Sequence, residues 1–365
     1  MIRRALAIMV TVGLLTTSSV AEDVVVLRGG MKPIAGTLIR VTDVGAEIRS
    51  SQGATHVVRW DQVRDVLTDR TEPDLPRLLD QADQIWRAKS RLERQDIRLA
   101  EPLFVRLFER YRGQTNETAL VVAEGLLRCR IERGANDEAI VPWLETVRIR
   151  RAGVVDDPYA TLGAVLDTET MLCPRLAPYF VPTRSLVNAR RELMNFDHRG
   201  DPYVRALAQR YVVAIDRVLQ RDATPGVLME QDDAALQLLD LLLELDADDA
   251  QQRADARDTV RVKLVTTPAT SWQDAWYRLG LGRAMTQTTG VGRQQRGIVN
   301  LLYVPARHAA DLPYLSGLAL DWSAGALESI GDSVGAERVR AELDQRFPGH
   351  PVRPVSTDLS GRTAS

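Results

Sequence analysis

The sequence predicts a mostly α-helical chain, an array of helical hairpins preceded by a small five-stranded β-barrel. Three observations lead there. Between Val24 and Leu67 the apolar residues follow the short period of strands, punctuated by glycine turns. From Leu75 onward they recur three and four residues apart, the spacing of one helix face. Finally, 365 residues exceed one comfortable core, so two or three packing units are expected.

Composition narrows the class. Hydrophobic residues at 45% and charged residues at 26% match a soluble globular chain. A net charge of -2 gives no basic footprint, so neither nucleic acid nor anionic lipid is expected as a partner. Lys32, Lys89 and Lys263 are the only lysines. The arginine bias reads as genomic base composition, not as a binding signal.

At the N-terminus Arg3 and Arg4 precede a short apolar run, Ala5 to Leu15, and Ser19-Val20-Ala21 offers the small residues a signal peptidase needs. The expectation is a secretory signal over 1–21, with the mature chain starting at Glu22. The run falls short of the roughly 20 apolar residues of a membrane-spanning helix. Leu236 to Leu245 is broken by Asp240 and Glu244, so no stable membrane insertion is expected after cleavage. A periplasmic or secreted location follows, and with it an oxidising compartment for Cys129 and Cys173. Spacing does not decide between a disulfide and two free buried thiols.

The strand-like segment, 22–70, divides into five pieces. Val24 to Leu27 ends at Arg28-Gly29-Gly30. Ile34 to Val41 contains Gly36, read as a bend inside the strand. Ala46 to Arg49, His56 to Trp60 and Val63 to Leu67 complete the set, with Val58 and Trp60 on one face and Val57 on the other. This rhythm resembles the SH3-like and Sm-like small barrels. The RNA binding that an Sm-like barrel implies is disfavoured by export and by the lack of paired aromatics for base stacking. Binding of proline-rich peptides needs an aromatic-lined groove, which Trp60 alone does not supply.

Helical pairs are predicted over 75–152. Leu75 to Leu92 and Leu99 to Tyr111 form the first, the second helix carrying the stripe Phe104, Leu107, Phe108 and Tyr111. Thr118 to Ile131 and Asp137 to Ile149 form the next, with Gly134 as a C-cap, Asn136 as an N-cap and Pro142 in the first turn. Helices resume over 186–350, and the tail 351–365 is polar and expected to be disordered. Small residues recur where helices would approach closely. Ala88 and Ala100 stand twelve apart, as do Ala324 and Ala336. Trp276-Tyr277-Arg278-Leu279-Gly280 opens one unit, continued by Gly297, Leu301 and Val304, and Ala139 with Trp143 marks another. These positions resemble tetratricopeptide repeats in a degenerate form, without a fixed period or repeat count. The resemblance implies stacked hairpins and a groove for a protein or peptide partner.

Residues 153–185 interrupt the helices. Pro158, Pro174, Pro178 and Pro182 forbid a continuous helix, yet Met171, Leu172, Leu176, Tyr179 and Phe180 are apolar. The reading is a packed irregular segment, either a structural cover over a helix groove or a ligand-facing lid.

No motif commits the chain to a chemistry. Leu315-Ser316-Gly317 lacks the preceding glycine of a nucleophile elbow, and no His-Glu-x-x-His occurs. Gly290-Val291-Gly292 and Gly297 lack the strand context of a phosphate loop. Asp248-Asp249 reads as a helix cap rather than a calcium loop. His56, His198, His308 and His350 are scattered. Glu101 and Glu109 read as helix-surface partners of nearby arginines. No catalytic, cofactor-binding or metal-binding residue is therefore named, and no cofactor is expected. The functional expectation is a non-catalytic envelope scaffold or adaptor that binds a protein or peptide partner through a helical-repeat groove. The alternative is a hydrolase acting on envelope polysaccharide, with its site in that groove.

Overall fold

The computed structural model describes residues 22–221 and 233–353; the expected signal segment 1–21 and the tail from 354 lie outside the described residues. The chain forms two compact units, Met1–Asp83 and Gln84–Ser365.

In the first unit β1 (Asp23–Leu27), β2 (Ile34–Val41), β3 (Gly45–Ser50), β4 (Thr55–Arg59) and β5 (Val63–Leu67) make one antiparallel sheet, ordered β4-β3-β2-β1-β5. Alternation sets its core: Val25, Leu38, Ala46, Ile48, Val58 and Trp60 are buried, whereas Val57 is 54% exposed. The sheet is not closed, which corrects the expected barrel. A tight turn over Arg59–Val63 sends β5 to the far side of β1, and β4 and β5 remain edges. Gly36 is also placed differently from expectation. It faces Asp23 of β1 and Ser50 of β3, and a Cβ there would lie 2.0 Å from the Arg49 carbonyl oxygen. Close backbone approach requires the glycine, while the bend comes two residues later. There a bulge between Leu38 and Arg40 turns the Leu38 N–H to the Asp23 carboxylate at 2.8 Å.

The helices are α1 (Leu75–Glu93), α2 (Ile97–Tyr111), α3 (Glu117–Glu132), α4 (Asn136–Arg151), α5 (Arg184–Met194), α6 (Pro202–Val218), α7 (Ala234–Glu244), α8 (Ala250–Thr266), α9 (Trp272–Thr286), α10 (Val291–His308), α11 (Pro313–Ser329) and α12 (Ser333–Arg346). From α2 onward each packs on the next, the pattern of an array built from local hairpins. Helices two apart also meet: α4 with α6, α7 with α9, and α9 with α11. This second contact passes from even to odd helices between α6 and α7. Ala88, Ala100, Ala139, Ala324 and Ala336 are all at most 1% exposed. A Cβ on Gly280 would lie 2.3 Å from the Tyr179 hydroxyl oxygen, and one on Gly297 2.9 Å from the Gly282 carbonyl oxygen. Space for one methyl or none is what selects these residues. Asp249 caps α8, its side chain accepting from the Gln252 N–H at 2.7 Å.

α4 departs from the expected capping. Ala135 is the N-cap, Asn136 is the first helical residue, and Pro142 stands inside the helix rather than in its first turn. Proline cannot donate to the carbonyl four residues back. Arg130 of α3 donates to that Glu138 carbonyl instead, at 2.6 Å. Among the described residues no helix is long and apolar enough to cross a membrane.

Candidate functional site

The second unit carries a filled channel and, beside it, an open cleft. The filling is the proline-bearing segment 153–183. With prolines at 174, 178 and 182 the chain after Asp167 can join neither helix nor ladder, yet Leu172, Cys173, Leu176, Ala177, Tyr179 and Phe180 are buried. Buried carbonyls need donors, and the surrounding helices provide them in succession. Tyr203 of α6 donates to Thr170 at 2.6 Å, Trp143 of α4 to Met171 at 3.0 Å, and Trp276 of α9 to Pro174 at 2.8 Å. Asn136 of α4 donates to Arg175 at 2.7 Å, and Tyr211 of α6 to Leu176. Tyr179 then meets α9 at Gly280 and α11 at Trp322, edge-on with centroids 5.7 Å apart. The segment thus occupies the inner face that the sequence assigned to a guest. Residues Leu162, Ala164, Val165, Pro174 and Arg175 of the same segment also line the open cleft beside it.

Both cysteines are buried and free, Cys129 on α3 and Cys173 in the segment. Burial pushes the Cys129 thiol up to about 12 and the Cys173 thiol up to about 11, which leaves both protonated and unreactive at neutral pH.

The cleft, of about 470 Å³, opens where the segment passes Pro174 and Arg175; Leu92, Arg128, Ile131, Trp272, His308 and Leu312 are among its walls. Residues Leu162, Ala164 and Val165 form one rim. Across that rim lies a hollow of about 300 Å³, and Arg128, Ala164 and Val165 border both spaces.

Two buried charges, Glu124 and Arg128, and the half-buried Arg150 underlie the rim. α3 is apolar on every side from Thr118 to Cys129, so Glu124 and Arg128, one turn apart, are interior residues. The Glu124 carboxylate takes two guanidinium groups: Arg128 through Nε at 3.0 Å and Nη2 at 2.8 Å, and Arg150 of α4 through Nη2 at 2.6 Å. Arg128 Nη2 also donates to the Gly163 carbonyl at 2.7 Å, and its guanidinium lies 5.3 Å from the Tyr159 ring centroid. At the opposite wall His308 is 4% exposed, and its Nε2 has no partner among the described residues. Burial lowers the His308 pKa, against the opposing pull of Asp274 and Asp311. Trp272 packs on Trp276, centroids 4.8 Å apart, and donates to Asp167. Burial raises the Asp167 pKa, but the hydrogen bonds from Thr170 and Trp272 outweigh it and hold the carboxyl below its usual range.

Several sequence readings change here. Glu101 does pair with arginine, but across helices, to Arg133 at 2.9 Å. Gly317, noted in the incomplete nucleophile motif, makes room for a ring: a Cβ there would lie 2.3 Å from His350. His350 Nε2 sits 2.8 Å from the Tyr314 carbonyl, and its Nδ1 accepts from the Val352 N–H at 3.3 Å. Among the described residues, no three His, Cys, Asp or Glu side chains gather as metal ligands. Sequence reasoning did not single out Glu124, Arg128, Arg150, Trp272 or His308 as a group. No family model, curated protein or solved structure matches this chain.

Proposed function

We propose that the chain is an exported, non-catalytic scaffold of the bacterial envelope: a degenerate tetratricopeptide-like array with an SH3-like sheet module, holding a protein or peptide partner. One observation carries this reading. Side chains from α4, α6 and α9 hold an extended segment by its main-chain carbonyls, which is how a helical array holds an extended guest. Here the inner places are taken by residues 170–176 of the chain itself. The partner then lies on the solvent side of that segment, where Thr161, Ala164, Thr168 and Glu169 are exposed.

A photo-crosslinking residue at Thr168 or Glu169 of the full chain tests the reading in envelope extract. A discrete partner adduct is expected there, and none from the same residue at Val265, an 85% exposed position on α8. Equal labelling from both positions would sink the proposal. Release of reducing sugar from envelope polysaccharide by the purified chain would favour the hydrolase instead.

A further inference from the structure

The cleft beside Arg175 calls for a ligand of its own, apart from any partner on the outer side of the segment. We propose that it binds a small monocarboxylate carried on an apolar or aromatic body, with Arg128 holding the carboxylate.

Charge gives the first argument. Arg128 and Arg150 share the single carboxylate of Glu124, which is 1% exposed, so the group carries one surplus positive charge, with the Arg150 side chain 22% exposed. Arg128 is 9% exposed at the side chain; Nε and Nη2 are committed, and Nη1 has no partner among the described residues. Arg150 Nε is buried and likewise without a partner. A buried surplus charge is costly unless something neutralises it. The other acids that line the two spaces do not: Glu132 is bonded to Arg175, Asp167 accepts from Thr170 and Trp272, and Asp157 and Asp311 are exposed at the rims, where solvent screens them.

The opposite wall gives the second. His308 Nε2 is a buried polar atom with no partner among the described residues, on a side chain that lines the cleft, a state that interiors rarely tolerate. A turn of the ring toward the cleft would let a ligand oxygen or N–H satisfy it. Between the two polar ends Leu92, Ile131, Leu312 and Trp272 present apolar surface, and the volume suits a small molecule. One surplus charge matches a carboxylate; a phosphate dianion would bury a second, unpaired charge. A peptide backbone is a poorer fit, since the carbonyl-reading side chains are already committed to residues 170–176.

Calorimetry on the purified full chain tests this with 3-phenylpropionate, its neutral amide, acetate and phenyl phosphate. The acid is expected to bind at least about ten-fold more tightly than each of the other three, the scale of one charge-assisted contact or one buried ring. Arg128→Gln should abolish the preference for acid over amide. Because Arg128 also serves the buried ion group, Ala310→Trp provides a second variant: Ala310 is exposed at the cleft wall, and a bulky ring there should block binding without changing the melt. Equal affinity for acid and amide, no saturable binding of the acid, or undiminished binding by Ala310→Trp overturns the proposal. None of these outcomes bears on the envelope partner, which is read by crosslinking instead.

Discussion

The two halves of the inner face of the helical array differ in one respect. Where residues 170–176 fill it, carbonyl after carbonyl has a named donor. Around the cleft and the adjoining hollow, the buried Arg150 Nε and His308 Nε2 have no partner among the described residues. The same helices build both halves, α9 giving Trp276 to one and Trp272 to the other. The filled half is therefore a structural element, although buried atoms without a partner, such as Asn136 Oδ1 and Arg210 Nε, stand beside it as well as beside the open half. What sets the open half apart as a place for a ligand is its free volume of about 470 Å³ beside Arg128 and His308.

Truncating the two tryptophans is the most forceful way to break that comparison. Trp143 is fully buried, its ring 4.8 Å from Tyr211 and its Nε1 bonded to Met171. Trp143→Ala leaves a large cavity and an orphaned carbonyl and should cost about 4 kcal/mol in denaturant melts. Trp272→Ala, at the cleft wall, should cost about 1 kcal/mol. Equal losses would mean that the open half is as structural as the filled one.

Next in size is Gly36→Val in the sheet unit. With a backbone oxygen 2.0 Å from the new Cβ, β2 and β3 must part, at about 3 kcal/mol. Hydrogen exchange should show the loss in β1 to β3, with the amides of α9 to α11 unchanged; uniform loss through both units would contradict two separate cores.

Overpacking the array comes third. Ala100→Leu and Ala336→Leu place a large side chain where each alanine is 0% exposed, and each should cost about 2 kcal/mol. The exposed neighbours Arg98 and Glu337 should accept leucine within about 0.5 kcal/mol. If both alanine variants melt like the parent, the close-packed hairpin register is wrong.

Much of this fold was legible because periodicity survives tertiary packing. The strand pattern from Val24 to Leu67 and the alanine pair at 324/336 on α11 and α12 report local contact, which sequence spacing encodes. The open sheet was not legible, since whether β4 meets β5 depends on the turn at Arg59–Val63 and not on strand content. Nor was the N-terminal end of α4, where the compensation for Pro142 comes from Arg130 on another helix. The buried charges left one trace that could have been read. Thr118 to Cys129 is apolar on all faces, so any charge within it has no solvent side and must be paired inside. Glu124 and Arg128 at i and i+4 looked like a surface pair only while the helix was assumed to have a surface. His308 gave no such signal, because its wall is assembled from α10, the residues before α9 and segment 162–175.

The smallest effect compares two buried histidines, one satisfied and one not. Gly317 admits His350, whose neutral ring donates from Nε2 to the Tyr314 carbonyl and accepts at Nδ1 from Val352. Protonation would put a hydrogen on Nδ1 and cancel the second bond. Burial lowers the His350 pKa, against the raising effect of the Tyr314 contact, and burial lowers that of His308 as well. A folded pKa below the unfolded value of 6.5 means that the unfolded chain takes up protons first. Stability is thus complete above pH 6.5 and declines as pH falls toward the folded values. The denaturant midpoint should drop between pH 7.5 and pH 5.5, by less in His350→Gln and in His308→Gln, and least in the double variant. His350→Gln should also lose stability at pH 7.5, because two bonds and a ring contact go with it. His308→Gln should not, since Nε2 has no partner to lose and an amide can reach the water of the cleft. A loss at pH 7.5 in His308→Gln as large as that in His350→Gln would show that His308 is held by the fold, and would remove the unsatisfied group from the cleft wall.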